Sequence, residues 1–393
     1  MVYFTEYGDH ADHDKATSRE IPLRIRQSIL FAALTALGLA AHGQGSNVLL
    51  LGQTADFSGP QAAPVKETVA AARAYFDKVN AQGGVNGRKI VLESLDDGFD
   101  TKRSVENAKK LIDEKKVLAL FLFRGTANAE ALMPVILEKR TPMFAGVGSS
   151  MKMHEPINRY LFNLRAPVQT EVTSVVSQLA TQGIKDVAVI YTDDGFGKDA
   201  LDGAKKAFAK YDIKPRVVAS IPRGQTEVDA AVADIIKASP SATLGFCIPK
   251  ICATIVKKLR AQGSLTQFVS LSNTSSGAYV TELAGSARGV MVTQVMPYPF
   301  DARDAIGREF QAFAKETKTK ESYAAMEGYL SARVMTEALK RAGKNPTRES
   351  LVAAFESLRM DMGGFAVGYS PSSRTGSEFV DLTMISKNGK FIR

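Results

Sequence analysis

Two groups of acidic residues are the first candidates for acid–base or metal chemistry in this 393-residue sequence. One lies within Asp96–Asp100, and the other is the pair Asp193-Asp194. Carboxylates at such spacings can bind a metal ion or transfer protons. Each group, however, follows a predicted strand and precedes a predicted helix, where aspartate commonly caps the first helical turn. We therefore interpret both groups as helix caps, and we predict no catalytic residue and no metal site.

Histidine offers little further chemistry. His154 is the one histidine that follows residue 43, and it lies in the polar segment Met151–Pro156. The sequence has no GxSxG pattern that would present a nucleophilic serine. We therefore interpret His154 as a surface histidine.

Two hydroxyl residues lie where predicted strands end, which is the pattern of an anion-binding site. The apolar run Val117–Phe123 leads to Thr126 near the start of a predicted helix, and the run Pro142–Val147 leads to Ser149. Free N–H groups and the helix dipole both attract negative charge at such positions. Ordinary N-capping by Thr126 and Ser149 is the alternative, and composition alone does not separate the two.

The motifs and the charge pattern disfavour binding of nucleotides and nucleic acids. After the first predicted strand stands Asp56–Pro60 (DFSGP) rather than GxGxxG, and no GxxxxGK[ST] loop occurs. The net charge is +9, but basic residues alternate with acidic ones and form no block of five like charges. Phosphate backbones are bound by clustered basic residues. We therefore predict no nucleic-acid partner and no cofactor.

Residues 1–43 have the pattern of a secretory signal peptide. Arginines precede the apolar run Ile29–Ala41, whose 13 residues fit a signal-peptide core and fall short of the ~20 that a spanning helix needs. Small residues at 41 and 43 favour cleavage before Gln44. We therefore predict export to the periplasm.

Export would place Cys247 and Cys252 in an oxidising compartment, where a disulfide persists. A bridge between them requires a turn of the backbone, which Pro249 favours. A disulfide and two small buried hydrophobic side chains both remain open.

Short apolar runs alternate with longer amphipathic runs from residue 46 to residue 295. This alternation predicts an α/β fold of βαβ units on mostly parallel sheets. One such sheet rarely accommodates some 350 residues, so we expect two lobes, with chain crossings at Arg165–Pro167 and Met296–Phe300. Three helices follow, and the tail from residue 363 predicts hairpins. Three helices should end at the left-handed glycine of a Gln-Gly pair: Gln82-Gly83, Gln182-Gly183 and Gln262-Gly263.

Four segments together resemble the leucine/isoleucine/valine-binding type of periplasmic substrate-binding proteins of ABC transporters, and the resemblance covers Asn47–Lys390. They are Ser58-Gly59-Pro60 after the first strand, Val79–Ile90 (VNAQGGVNGRKI), Asp96-Asp97 at the end of the second strand, and Tyr191–Gly197 (YTDDGFG). The resemblance implies two doubly wound, mostly parallel-sheet lobes that a three-stranded hinge joins into a clamshell. Lobe 1 would comprise residues 44–166 and 297–373, and lobe 2 would comprise residues 167–296 and 374–393.

The resemblance also implies a set of ligand-binding residues. Thr126 and Ser149 correspond to positions that hold the ligand carboxylate, with the backbone of Val147 beside them. Phe196 corresponds to an aromatic residue of the second lobe that covers the ligand. Asn273 lies near the place of an acidic residue that pairs with an α-ammonium, and an amide there lacks the complementary charge. We therefore expect a small carboxylate-bearing ligand without a strongly paired ammonium.

The resulting hypothesis is an exported, monomeric, non-enzymatic solute-binding protein that delivers its ligand to an ABC transporter permease. A ligand-sensing receptor domain of the same fold, acting on a signalling partner, is the alternative, and the predicted leader favours transport. A hydrolase or a dehydrogenase is disfavoured because its motifs are missing.

Overall fold

The computed structural model describes residues 47–393, and the predicted signal peptide therefore lies outside the described part. Between residues 47 and 393 no helix is long and apolar enough to cross a membrane. The strands of this part are β1 (Val48–Ala55), β2 (Lys89–Asp96), β3 (Ala119–Phe121), β4 (Met143–Phe144), β5 (Leu161–Phe162), β6 (Val187–Asp193), β7 (Val217–Pro222), β8 (Ala242–Phe246), β9 (Gln267–Ser270), β10 (Met291–Gln294), β11 (Arg359–Asp361), β12 (Ala366–Gly368), β13 (Asp381–Ile385) and β14 (Phe391–Ile392).

Helices follow most of the strands, as the alternating sequence pattern predicts. A π-helical turn, Lys110–Glu114, directly continues the α-helix Thr101–Lys109. The α-helices of the described part are α1 (Ala62–Ala81), α2 (Thr101–Lys109), α3 (Thr126–Glu138), α4 (Val168–Thr181), α5 (Gly195–Tyr211), α6 (Asp229–Ala238), α7 (Pro249–Ala261), α8 (Gly277–Leu283), α9 (Ala305–Thr317), α10 (Tyr323–Arg341) and α11 (Arg348–Glu356).

Two mostly parallel sheets form the frame of the fold. The first has the strand order β2-β1-β3-β4-β5, and all of its neighbouring strands are parallel. The second has the order β14-β13-β10-β9-β8-β6-β7; β6 to β10 are parallel, whereas β13 and β14 pair in antiparallel fashion. When the parallel strands of the second sheet are numbered from β6, both sheets have the order 2-1-3-4-5. In doubly wound sheets of this kind, a ligand binds beyond the carboxyl ends of the strands.

The chain passes between the two sheets three times: after β5, after β10, and between β12 and β13. The first and third crossings are tied together by a bridge between Asn163 and Thr375. Helices α1 and α10 pack together beside the first sheet, and α4 and α5 pack together beside the second. Apolar side chains fill the space between sheets and helices, as in the stacked pair Phe121 and Phe144. The predicted α/β architecture of two joined sheets is confirmed.

Local signals in the sequence explain several helix ends. Asp100 accepts a hydrogen bond from Arg103 N at the start of α2, and Asp194 caps α5 in the same way. Asp96 and Asp97 do not cap a helix, because their carboxylates bind the loops that follow β1 and β2. The three Gln-Gly pairs end their helices with the predicted positive φ: 98° at Gly83, 75° at Gly183 and 75° at Gly263.

Cys247 and Cys252 form a disulfide, which decides between the two alternatives that the sequence leaves open. Cys247 directly follows β8, and Cys252 lies in the first turn of α7. The bond therefore joins the end of a strand to the helix that follows it.

His154 is buried, so the prediction of a surface histidine is wrong. It is 6% exposed, and its Nδ1 lies 2.6 Å from Thr375 Oγ1, beside the bridge between the first and third crossings. Lys152 and Glu155 point outwards, whereas Met153 and His154 turn into the protein between them. Burial lowers the pKa of His154 from 6.5 to about 4, because the charged form loses its hydration.

We expect His154 to make the stability of the protein depend on pH. Between pH 6.5 and pH 4 the unfolded chain binds more protons than the folded one, because its histidine has the higher pKa. The contribution is therefore complete above pH 6.5 and is lost as the pH falls towards 4, by about 3 kcal/mol in total. His154→Gln should lose this part of the pH dependence. Urea denaturation of both proteins at neutral and acidic pH measures it, and equal losses in both would contradict the expectation.

Candidate functional site

A cavity lies between the two sheets, at the ends where their parallel strands terminate. Its volume is about 50 Å³, which is room for a few water molecules. We call this cavity the cleft and define it by its lining residues: Gln61, Phe99, Arg124, Thr126, Ala127, Val147, Gly148, Ser149, Arg165, Asp194, Phe196, Arg223, Ile248 and Asn273.

The segments that follow the parallel strands supply the walls of the cleft. Each of the strands β1 to β9 is followed by a lining residue: Gln61 after β1, Phe99 after β2, Arg124 after β3, Val147 after β4, Arg165 after β5, Asp194 after β6, Arg223 after β7, Ile248 after β8 and Asn273 after β9. Parallel strands all end at the same edge of a sheet, so residues far apart in sequence converge there. The cleft includes all five residues that the sequence predicts, Thr126, Val147, Ser149, Phe196 and Asn273. Their roles in binding stay predictions.

Thr126 begins helix α3 with its hydroxyl unpaired. It is 5% exposed, and its Oγ1 has no hydrogen-bond partner among the described residues. Gly125 rather than Thr126 is the N-cap residue, with a φ of 93°. A Cβ at Gly125 would lie 2.7 Å from the Phe99 ring, so glycine lets this ring pack against the start of the helix. The alternative of ordinary N-capping by Thr126 is therefore wrong.

Ser149 and Val147 form the adjacent wall. Ser149 is 2% exposed, and Ser150 rather than Ser149 caps the short helical turn that follows. The N–H of Val147 donates to Phe123 O, and its carbonyl accepts from Gly125 N. Val147 therefore lines the cleft with its backbone already paired.

Phe196 reaches the cleft from helix α5, on the side of the second sheet. The Asp194 carboxylate accepts a hydrogen bond from Gly197 N at 2.9 Å and thereby caps α5. Burial raises the pKa of Asp194. A Cβ on Gly195 would lie 3.3 Å from Thr126 Cγ2. The N-termini of α3 and α5 thus meet at the cleft, and both favour an anion.

Asn273 presents an unpaired acceptor to its surroundings. Its Nδ2 donates to the carbonyl of Cys247 at 2.9 Å, which fixes the orientation of the amide. Its Oδ1 is buried and has no partner among the described residues. Asn273 therefore offers a neutral oxygen where a carboxylate would offer a charge.

Arg124 is a cleft residue that sequence patterns did not single out. It is 6% exposed, and its Nη2 donates to Gln61 Oε1 at 2.8 Å and to Asn273 O at 3.3 Å. No carboxylate among the described residues forms an ion pair with it within 4.0 Å. Burial and the charge of Arg165 lower the pKa of Arg124 to about 10, so it stays protonated at neutral pH. The available signal was a single charged residue directly after the apolar run that ends at Phe123.

Arg165, in contrast, has an acidic partner. Its Nε lies 3.0 Å from Glu327 Oε1, and the two side chains are 4% and 9% exposed. Its Nη2 donates to Ser272 Oγ at 2.9 Å. Glu327 belongs to α10 beside the first sheet, and Ser272 follows β9 of the second. Arg165, through Glu327 on one side and Ser272 on the other, therefore links the two sheets at the first crossing.

The cleft carries an excess of positive charge. Its lining includes Arg124, Arg165 and Arg223 but a single acidic residue, Asp194. No group of three or more potential metal ligands occurs in the part of the chain that the structure describes. The free hydroxyl, the helix N-termini and the arginines suit hydrogen bonding and charge pairing with a small anion.

Comparison with known proteins identifies similar chains over nearly the whole described part. Residues 50–390 match the sequence model of a family described as periplasmic binding protein. A relative from Pseudomonas aeruginosa, called amino acid binding protein, is 24% identical over 321 residues. That match covers 78% of this chain and 83% of the relative.

Solved structures agree with the match to this family. A substrate-binding periplasmic protein from Ralstonia solanacearum is 31% identical with a TM-score of 0.82, and the match covers 88% of this chain and 99% of that one. A solute-binding protein of an ABC transporter from R. palustris, solved in complex with benzoate, is 18% identical with a TM-score of 0.78. The match covers 88% of this chain and 95% of that one, and at this identity it shows a shared fold.

We expect the buried pair of Arg165 and Glu327 to act in stability. Arg165→Met leaves the Glu327 carboxylate buried and unpaired, which typically costs about 3–5 kcal/mol of unfolding free energy. The double variant R165M/E327L removes both charges and should recover most of this loss. The exposed pair Arg159–Glu349 is the control, since R159M should cost less than about 1 kcal/mol. Urea denaturation measures all four proteins, and a double variant as unstable as R165M would contradict this account.

Proposed function

The chain belongs to the periplasmic binding protein family, whose members bind solutes and are not enzymes, and from this premise we propose its specific role. The protein captures a small carboxylate-bearing ligand, an amino acid or a related organic acid or amide, between two lobes. It then delivers this ligand to an ABC permease in the membrane. Export through removal of residues 1–43 is part of the same proposal.

The unpaired hydroxyl of Thr126 carries this proposal. A buried polar group without a partner costs roughly 1–3 kcal/mol, and Thr126 lines the cleft, where a bound molecule can supply the missing partner of its Oγ1. A carboxylate oxygen of a ligand is a suitable acceptor for this hydroxyl. The first N–H groups of α3 lack helical partners, and Ser149 adds a second hydroxyl at the same edge.

The ligands named for similar proteins support a carboxylate as the recognised group. An amino acid is named for the Pseudomonas relative, and benzoate is bound in the R. palustris protein. These molecules share a carboxylate on a small carbon skeleton and little else. The charge and donor pattern of the cleft matches this shared part.

Ligand entry requires the two sheets to move apart. A cleft of about 50 Å³ holds a few waters and is too small for an amino acid or benzoate. We propose that the chain bends at its three crossings, with residues 44–166 and 297–373 as lobe 1 and residues 167–296 and 374–393 as lobe 2. In the closed state, Phe196 of lobe 2 covers a ligand whose carboxylate Thr126 and Ser149 hold in lobe 1.

The variant Thr126→Val removes the hydroxyl and keeps a β-branched side chain. A hydrogen bond to a charged group contributes about 1.5–3 kcal/mol, so T126V should weaken carboxylate binding about tenfold or more. A thermal-shift screen of amino acids, deaminated acids and aromatic acids identifies the ligand, since saturation at about 100 times Kd adds roughly 2.7 kcal/mol of stability. Titration calorimetry then gives the affinities.

Thr336→Val is the matched control. Thr336 lies in α10, is buried and also has an unpaired Oγ1, but it does not line the cleft. T336V should therefore leave the affinity unchanged. The proposed function is wrong if no carboxylate stabilises the wild type, or if T126V binds every carboxylate as tightly as the wild type does.

A further inference from the structure

Arg124 is a buried cation that the fold leaves without an acidic partner in the described part. Both of its hydrogen bonds come from Nη2 and end on neutral oxygens, Gln61 Oε1 and the Asn273 carbonyl. Within residues 47–393, neither Nε nor Nη1 has an acceptor. A guanidinium carries five N–H donors, so most of them remain available beside the cleft.

The carboxylates that influence Arg124 are already engaged. Glu327 pairs with Arg165 at 3.0 Å. Asp56 is fully buried and accepts hydrogen bonds from the backbone N–H groups of Gly59 and Gln61. Neither carboxylate can therefore neutralise the guanidinium of Arg124 directly.

An isolated buried charge is strongly unfavourable, and an anion that enters the cleft removes this cost. We propose that Arg124 is the counter-ion of the ligand carboxylate and that it makes the protein prefer organic acids over amino acids. This inference rests on the proposed function and names the ligand class for the same cleft. Among the described residues that line the cleft, Asp194 is the one carboxylate, and it caps α5. An ammonium group would meet the neutral Oδ1 of Asn273 and the charges of the arginines.

Arg124, the proposed partner of the ligand carboxylate, also forms a contact between the two sheets. It follows β3 of the first sheet, whereas Asn273, whose carbonyl it binds at 3.3 Å, follows β9 of the second. Arg165 lies close enough to repel it. An anion beside Arg124 reduces this repulsion, and the hydrogen bond from Arg124 to the Asn273 carbonyl is the contact that bridges the two sheets.

The test compares probes that share one carbon skeleton and differ in charge. One set is 4-methylpentanoate, 4-methylpentanamide and L-leucine, and the other is benzoate, benzamide and L-phenylglycine. In titration calorimetry on the wild-type protein, the acid of at least one set should bind more tightly than the amide and the amino acid of that set.

Arg124→Met should weaken binding of that acid by about 100-fold or more, because it removes a buried charge partner. Binding of the matching amide should change by less than about threefold, and Arg124→Lys should be intermediate for the acid.

Arg260→Met is the matched control. Arg260 also donates to backbone carbonyls alone, those of Ser264 and Thr266, and it lies outside the cleft. R260M should leave the affinities of all probes unchanged. The melting temperature of ligand-free R124M should equal or exceed that of the wild type, since the variant removes an uncompensated buried charge and leaves no unpaired carboxylate behind.

The outcomes separate this inference from the proposed function. The inference is overturned if R124M binds the acid as tightly as the wild type does while T126V does not, and the proposed function then stands. The inference is likewise overturned, and the proposed function stands, if leucine and phenylglycine bind the wild type more tightly than their matched acids. If neither these probes nor any carboxylate of the thermal-shift screen binds the wild type, both proposals fail. The ranking of the probes on the wild type requires no variant, so it decides the question even if R124M does not fold.

Discussion

Parallel strands leave free backbone groups and the side chains that follow them at one edge of a sheet, and in this protein two such edges meet. Most of the site depends on this constraint. It brings Gln61 of the first sheet and Asn273 of the second to the same cavity, and it places the N-termini of α3 and α5 in contact. The excess positive charge of the cleft therefore comes from arginines that follow three different strands, which the topology brings together without a run of basic residues in the sequence.

The two buried arginines have different physical situations, although both line the cleft. Arg165 is compensated by Glu327 and fixes the first crossing between the sheets. Arg124 has neutral partners in the described structure, and its charge is available to a ligand. Binding of the proposed anion to Arg124 would therefore add to the stability of the folded protein. The disulfide between Cys247 and Cys252 supports the same region, because the Cys247 carbonyl orients the Asn273 amide.

The sequence predicted the order of the elements well, because each central strand is an apolar run and each helix an amphipathic one. It did not predict β5, whose two residues, Leu161 and Phe162, are a strand because they pair with β4. The positions of Thr126 and Ser149 in the cleft could be predicted because hydroxyl residues after apolar runs indicate strand ends. The position of Arg124 in the cleft could not be predicted, because what distinguishes this arginine is the lack of an acidic neighbour, which depends on tertiary packing. His154 was misassigned for a related reason: polar neighbours in the sequence do not show that its ring turns inwards.

The central claim is that one carboxylate enters the cleft between Thr126 and Arg124. A crystal structure of the protein grown with its tightest-binding organic acid tests this most directly. We expect one carboxylate oxygen within hydrogen-bond distance of Thr126 Oγ1 and a charge-assisted bond from the Arg124 guanidinium, at about 2.7–2.9 Å. A bound ligand whose carboxylate lies away from both residues, with Arg124 still unpaired, would contradict it.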